Sequence, residues 1–168
     1  MVEPRYMPRS TMLHLVRHAD AGSRTAWVGN DFERPLDEHG RLQAEAIGAA
    51  LASRPVRRIL SSPYVRCVDT VVPLGRILDL PVETCDELAE GSYVNSAFEL
   101  LGSLASAEGD AVLCSHGDVI PGLLWVLDRY GLDIGELGRC KKGSIWELEV
   151  RDGRIVGAAY RHPRTFGA

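Results

Sequence analysis

Leu13-His14-Leu15-Val16-Arg17-His18-Ala19-Asp20-Ala21-Gly22 is the stretch that decides how this 168-residue chain is read. Met12, Leu13, Leu15 and Val16 make an apolar run of the kind found in a strand covered on both faces. The run then breaks into Arg17-His18 followed by small, flexible residues. A buried strand that stops at an imidazole beside a guanidinium points to phosphate chemistry. Neutral imidazole attacks phosphorus directly, and a planar, permanently charged guanidinium holds two phosphoryl oxygens through paired hydrogen bonds. An Arg-His pair arises by chance on many surfaces, so the weight of the stretch depends on what the rest of the chain brings to it.

Working outward, residues 1–10 read as a loose leader and residues 11–16 as the first strand. Residues 19–35 form a long irregular loop carrying Ser23, Arg24, Trp27 and Asn30; a loop of that length in a compact domain is more often functional or mobile than idle. Asp37 is placed to cap a helix that has Leu42, Ala46, Ala49 and Ala50 at helical spacing and runs to about Ser53. Residues 56–61 are a second strand. Ser62-Pro63 then reads as a helix start, with Ser as cap, Pro at the first helical position and Arg66 in the first turn. Pro73 is expected to kink or end that helix. A short strand around 81–84 and a loop holding Glu87 and Glu90 follow, then a helix over 93–106 and a strongly buried strand at 110–115. His116-Gly117-Asp118 comes next, and Val119, Leu123, Leu124 and Leu127 mark one side of a helix closed by Gly131. Trp146, Leu148 and Val150 alternate with Glu147 and Glu149 before the turn signal Arg151-Asp152-Gly153-Arg154, which predicts a terminal hairpin. The expected architecture is α/β: a three-layer sandwich whose mostly parallel central sheet is flanked by helices and ends in a C-terminal antiparallel hairpin, one domain over residues 1–168.

The net charge is −4, which leaves no broad basic surface for a nucleic-acid polymer or an anionic membrane, so an anion site must be a local concentration of charge. Cys67, Cys85, Cys114 and Cys140 are widely spaced, contain no Cys-x-x-Cys pair and read as reduced thiols of a cytoplasmic protein. The first ten residues lack the apolar core of a signal peptide, and no run approaches the roughly 18 apolar residues of a membrane span.

In an open α/β sheet the ligand sits beyond the carboxyl ends of the strands. Three strands end in chemistry here: one at Arg17-His18, one leading through Ser61-Ser62-Pro63 to Arg66, and one at Ser115-His116-Gly117. If those strands are parallel neighbours, two arginines and two histidines meet at one edge, joined by backbone N–H groups at helix starts. A dianionic phosphate fits such a place. His18-Ala19-Asp20 and His116-Gly117-Asp118 are both His-x-Asp and raise a metal reading, but Arg17 opposes a dication and no third cluster completes the ligand set; no metal or other cofactor is expected. A cysteine phosphatase needs Arg six positions after its Cys, and Pro73 and Ile120 stand there; a Gly-Lys-Ser/Thr phosphate loop is also missing. His14 reads as a core or interstrand histidine, His39 as a surface residue at a helix start and Arg161-His162 as a solvated tail. Arg24 is either a phosphate contact or a loop charge.

Taken in order, five blocks resemble the histidine phosphatase superfamily, which also contains the cofactor-dependent phosphoglycerate mutases. They are Leu15-Val16-Arg17-His18-Ala19; Arg34-Pro35-Leu36-Asp37-Glu38-His39-Gly40-Arg41-Leu42-Gln43-Ala44; Ile59-Leu60-Ser61-Ser62-Pro63-Tyr64-Val65-Arg66-Cys67; Leu88-Ala89-Glu90; and Cys114-Ser115-His116-Gly117. Many members have Gly where this chain has Ala19. The resemblance implies that His18 becomes phosphorylated and is then hydrolysed, that Arg17, Arg66 and His116 surround the phosphoryl oxygens, and that Glu90 is the proton donor, with Glu87 in reserve. Arg24 and Gly117 are the candidate substrate-binding residues. Members acting on small sugar phosphates often carry an insertion before the second histidine. This chain has room only for the basic connections, which implies an open site for bulky phosphates: a phosphohistidine protein or a nucleotide-like molecule. The expected partner is thus a phosphorylated small molecule or a phosphoprotein. The alternative is a non-catalytic phosphoprotein- or phosphate-binding module that retains the pocket.

Overall fold

In the computed structural model, which describes residues 10–167, one six-stranded sheet runs in the order β3-β2-β4-β1-β5-β6. The strands are β1 (Ser10–Arg17), β2 (Val56–Ser61), β3 (Val82–Thr84), β4 (Asp110–Ser115), β5 (Ile145–Arg151) and β6 (Arg154–Arg161). β4 pairs in parallel with β1 on one side and β2 on the other, and β3 continues the parallel half. β5 lies antiparallel to β1, and β6 antiparallel to β5. The helices are α1 (Glu38–Leu51), α2 (Val65–Leu78), α3 (Val94–Ala105) and α4 (Val119–Arg129). Residues 1–9 of the expected leader lie outside the described residues, and Ser10 already belongs to β1.

The pleat divides the apolar runs between two cores, since successive side chains of a strand point to opposite faces. Leu13 and Leu15 of β1, Leu60 of β2, Leu113 of β4 and Trp146 and Leu148 of β5 pack with Leu101, Leu104, Leu123 and Leu124 of α3 and α4. Val16, Ile59, Val112, Cys114 and Ile145 face the opposite way and pack with Ile47 and Leu51 of α1 and Val71 and Leu74 of α2. This two-sided burial is why β1 and β4 read as nearly continuous apolar runs. The hairpin turn has Asp152 at φ 49° and Gly153 at φ 75°, the left-handed pair that a two-residue turn between twisted strands requires. Among the described residues no helix is long and apolar enough to cross a membrane.

Three expectations need correcting. Helix α2 begins at Val65 with Tyr64 as its cap residue and no side-chain cap, not at Ser62-Pro63. The Ser62 hydroxyl is engaged elsewhere, 2.7 Å from His116 Nε2. Pro73 neither ends nor divides the helix; it is buried in the contact between α2 and α1, where Gly48 lets the Pro73-Leu74 backbone approach, and the helix continues to Leu78. Residues 161–166 are not a solvated tail. Arg161 donates to Glu147 Oε1 at 2.9 Å and lies 4.6 Å from the Phe166 ring, and the 3-10 turn Pro163–Phe166 packs on α1 with Pro163 buried.

His14 is a core histidine, as its position in β1 implies, with its Nε2 3.1 Å from Asp110 Oδ2. Asp110, 2% exposed, also accepts from the Met12 N–H at 2.9 Å and from Arg54 Nε at 3.0 Å and Nη2 at 2.9 Å. Burial works against its charge, but the bonds from His14, Met12 and Arg54 prevail and hold the carboxyl below the usual 3.8. Its contribution to stability is therefore present above pH 3.8 and lost as the pH falls through the lower folded value. Asp110→Ala strands a buried N–H, the buried His14 ring and the Arg54 guanidinium and should cost about 3 kcal/mol by urea denaturation at pH 7.

Candidate active site

The parallel half of the sheet delivers three chain segments to one edge. Arg17 of β1 is registered with Ser115 of β4, and Cys114 with Ser61 of β2. Just beyond β1, the His18 N–H donates to the Ser115 carbonyl at 3.0 Å, and the Ser62 N–H to the Cys114 carbonyl at 2.9 Å, so the ladder continues into the loops. The Ala19 N–H is held by Thr70 Oγ1 of α2 at 2.9 Å. Gly40 sits where any side chain would collide with the Asp20 backbone, which brings the start of α1 against the same loop. A cavity of about 330 Å³ opens here, lined by Arg17, His18, Arg24, Glu90, His116 and Gly117 among others.

His18 is 5% exposed, and its Nδ1 lies 2.8 Å from the Ala19 carbonyl oxygen. A carbonyl only accepts, so this contact places the ring proton on Nδ1 and leaves the Nε2 lone pair available. Burial, opposed only by that bond and reinforced by His116, Arg66 and Arg17, lowers the imidazole pKa from 6.5 to about 3. The ring meets His116 edge to face at a centroid distance of 5.4 Å. His116 in turn points Nε2 at Ser62 Oγ, with Cys67 Sγ 3.4 Å away, while its Nδ1 is buried with no partner among the described residues.

Arg17 donates through Nη1 to the Cys140 carbonyl at 2.5 Å, and its Nε has no partner among the described residues. Gly117 packs against this guanidinium: a Cβ there would fall 2.8 Å from Arg17 Cζ. Gly117 lines the cavity, and its lack of a side chain makes room for Arg17. Arg66 is fully buried and does not line the cavity. Its Nη1 donates to the Asp31 carbonyl at 2.9 Å, and its Nη2 lies 3.2 Å from Asp31 Oδ2 and 3.3 Å from Glu90 Oε2. Glu90 is gripped from the other side by Arg24 Nη2, 2.6 Å from Oε1, which brings Arg24 into the site. Glu87 is exposed and does not line the cavity.

Three charged residues here, Asp31, Arg34 and Lys142, have no role in the sequence reading, and a fourth, Asp118, enters it only as part of a metal motif. Asp31 gathers Arg34 at 2.9 Å, Arg66 at 3.2 Å and Arg24 at 3.6 Å. Its burial opposes charge, yet the Arg34 bond and the charges of Arg66, Arg34 and Arg24 keep its carboxyl below the ordinary range. Arg34 also donates to the Ala21 carbonyl at 2.7 Å and lines the cavity. Asp118 caps α4 and accepts from the Gly91 N–H at 2.8 Å, tethering the segment that carries Glu90. Lys142 lines the cavity from the loop before β5. Arg34 lies inside one of the five family-like blocks, which was a usable signal; Asp31 and Lys142 carry no pattern. Among the described residues no group of three or more His, Cys, Asp or Glu is placed to hold a metal ion. The arrangement is an unprotonated imidazole nitrogen facing a cluster of guanidiniums whose charge is offset by two carboxylates, a place suited to an oxyanion.

The neutral ring makes a direct prediction. The ring resonances of His18 should stay flat from pH 8 to pH 5, and a midpoint near 6.5 would contradict the geometry. Because the unfolded chain binds this proton at 6.5 and the folded one only near 3, stability should fall as pH drops through that window, by up to about 1.4 kcal/mol per pH unit. His18→Ala should flatten the slope, read from urea midpoints across the window.

The chain is similar to known proteins over most of its length. The model of the histidine phosphatase superfamily (branch 1) matches residues 13–101. The 8-oxo-(d)GTP phosphatase of Mycolicibacterium smegmatis is 38% identical over 153 residues, which cover 89% of this chain and 47% of that protein. The chain thus spans about half the length of the curated relatives it matches. Among solved structures, the protein histidine phosphatase SixA complexed with tungstate superposes with a TM-score of 0.74 at 20% identity, covering 92% of this chain and 99% of that one. A mycobacterial glucosyl-3-phosphoglycerate phosphatase gives 0.68 at 18% identity, covering 90% and 97%. These two share the fold. With more than half of its length matched by the family model, the chain belongs to the histidine phosphatase superfamily.

Proposed function

We propose that this chain, acting as one domain, is a metal-independent phosphomonoesterase that works through a phosphohistidine on His18. The observation that carries this reading is the bond from His18 Nδ1–H to the Ala19 carbonyl, which leaves Nε2 unprotonated beside a cluster of cations. Nε2 attacks phosphorus in line and the bond to the leaving oxygen breaks; Glu90, which takes up a proton from solvent once the bound phosphate has drawn off its arginine partners, passes that proton to the oxygen. Glu90 then takes a proton from water as the water attacks the phosphohistidine, releasing phosphate and restoring neutral His18. Arg17, Arg66 and the unpartnered His116 Nδ1 stabilise the charge spread over the equatorial oxygens. Arg66 and Arg24 hold Glu90 in the resting site; an entering dianion draws those guanidiniums to itself and frees the carboxyl for proton transfer. The substrate is a bulky phosphate, and the identity to the 8-oxo-(d)GTP phosphatase supports a nucleotide-like molecule over a phosphohistidine protein.

The test is a rapid quench with labelled p-nitrophenyl phosphate, in the presence of a chelator. Acid-labile label should appear on His18, and His18→Ala should lower kcat by about 10⁴-fold or more. Glu90→Gln should slow hydrolysis of an alkyl phosphate by about 10² to 10⁴-fold. It should slow p-nitrophenyl phosphate much less, because that leaving group needs no proton. Absence of both label and turnover, unchanged by His18→Ala, would leave the phosphate-binding module as the function.

A further inference from the structure

A second cavity, of about 530 Å³, opens on the far side of Arg17. It shares Arg17 and Lys142 with the first cavity and adds Lys141, His162 and Arg164. Asp20 is the one carboxylate on its wall. The Asp20 oxygens are engaged by His39 at 2.8 Å and, more loosely, by Lys142 at 4.0 Å. Lys141 and Arg164 have no ion-pair partner among the described residues. Four permanent cations thus face one carboxylate in a chain whose net charge is −4.

Lone surface lysines are usually solvated and idle. These are carried on backbone fixed to the first site. The Gly143 N–H donates to both the Arg17 and His18 carbonyls at 3.1 Å, the Ser144 N–H to the Lys141 carbonyl at 2.9 Å, and the Lys141 N–H to the Tyr160 hydroxyl at 3.2 Å. Arg164 lies in the 3-10 turn that the buried Pro163 fastens against α1, and its N–H donates to His162 Nδ1 at 3.2 Å. Accepting there puts the His162 proton on Nε2, a further donor. The second cavity is therefore an anchored set of cations and donors continuous with the first through a shared guanidinium.

We infer that this cavity seats a second phosphoryl group, so that the molecule cleaved at His18 carries at least two phosphates, one at His18 and the other on Lys141, Lys142 and Arg164. This deepens the proposed phosphomonoesterase reading and rests on it for the word substrate, though not for the anion site itself. The second group belongs either to a phosphoanhydride chain, as in a nucleoside diphosphate, or to a separate ester, as in a sugar bisphosphate.

The test uses Lys141→Ala and Arg164→Ala, neither of which lines the first cavity. By calorimetry, methylenediphosphonate should bind about tenfold or more tightly than inorganic phosphate, and each variant should weaken the diphosphonate by about three- to tenfold while leaving phosphate within about twofold. KM for a nucleoside diphosphate or a sugar bisphosphate should rise in step, with kcat/KM for p-nitrophenyl phosphate unchanged, and Lys141→Arg should restore binding. A KM penalty on one of the two substrates identifies the source of the second phosphate. A diphosphonate no tighter than phosphate, or variants that weaken both ligands equally, would overturn the inference. If the diphosphonate binds with this dependence but no phosphate ester is turned over, the anion site stands and the enzymatic reading fails. Turnover without any diphosphonate preference would keep the enzyme and remove the second phosphate.

Discussion

The site depends on one constraint: β4 is hydrogen-bonded on both flanks by parallel strands whose carboxyl ends stop together. Parallel pairing aligns chain ends that lie far apart in sequence, and a shift of one residue would turn every side chain of a strand to the other face. With Arg17 opposite Ser115 and Ser61 opposite Cys114, the residues that follow each strand have no other place to go than the common edge. His18, Ser62 and His116 meet there because the apolar patterns of the three strands permit one register only.

The second requirement is electrostatic. Burying Arg66 completely leaves a guanidinium that must be compensated, because a charge taken out of water without a partner is very costly. Asp31 and Glu90 supply that compensation, and they also draw in Arg24 and Arg34. The loop over residues 19–35 thereby becomes part of the site, although it has almost no regular structure. A chain that is acidic as a whole builds its cationic face from a handful of positions, which matches a molecule carrying one or two phosphates better than a long polyanion.

Much of this is legible in the sequence because it rests on strong local signals. The apolar runs of β1 and β4, the Asp37 cap of α1, the hairpin turn, the strand-end positions of His18 and His116 and the place of Arg66 in the first turn of α2 follow from periodicity and turn chemistry. What escapes is set by tertiary context. Ser62 looks like a helix cap until its hydroxyl is needed by His116. Pro73 looks like a helix terminator until packing against Gly48 outweighs its local cost. Asp31, Arg34 and Lys142 lie in loops, where nothing periodic announces which charge turns inward. Glu90 and Glu87 are three positions apart in one segment, and only the three-dimensional path separates the one that faces the cavity from the one that faces water.

The grip of Arg24 and Arg66 on Glu90 has a kinetic consequence. A ring of bare guanidiniums would hold any tetrahedral oxyanion tenaciously, including the inorganic ion left at the end of a cycle. On the proposed reading, a departing ion leaves behind cations that close again on a carboxylate already within reach, at 2.6 Å and 3.3 Å. The vacated state is thus internally neutralised, and discharge of the spent anion competes with an intramolecular counterion of high effective concentration. If the proposed reaction runs here, a site assembled in this way trades some ground-state affinity for easier release of its own end product.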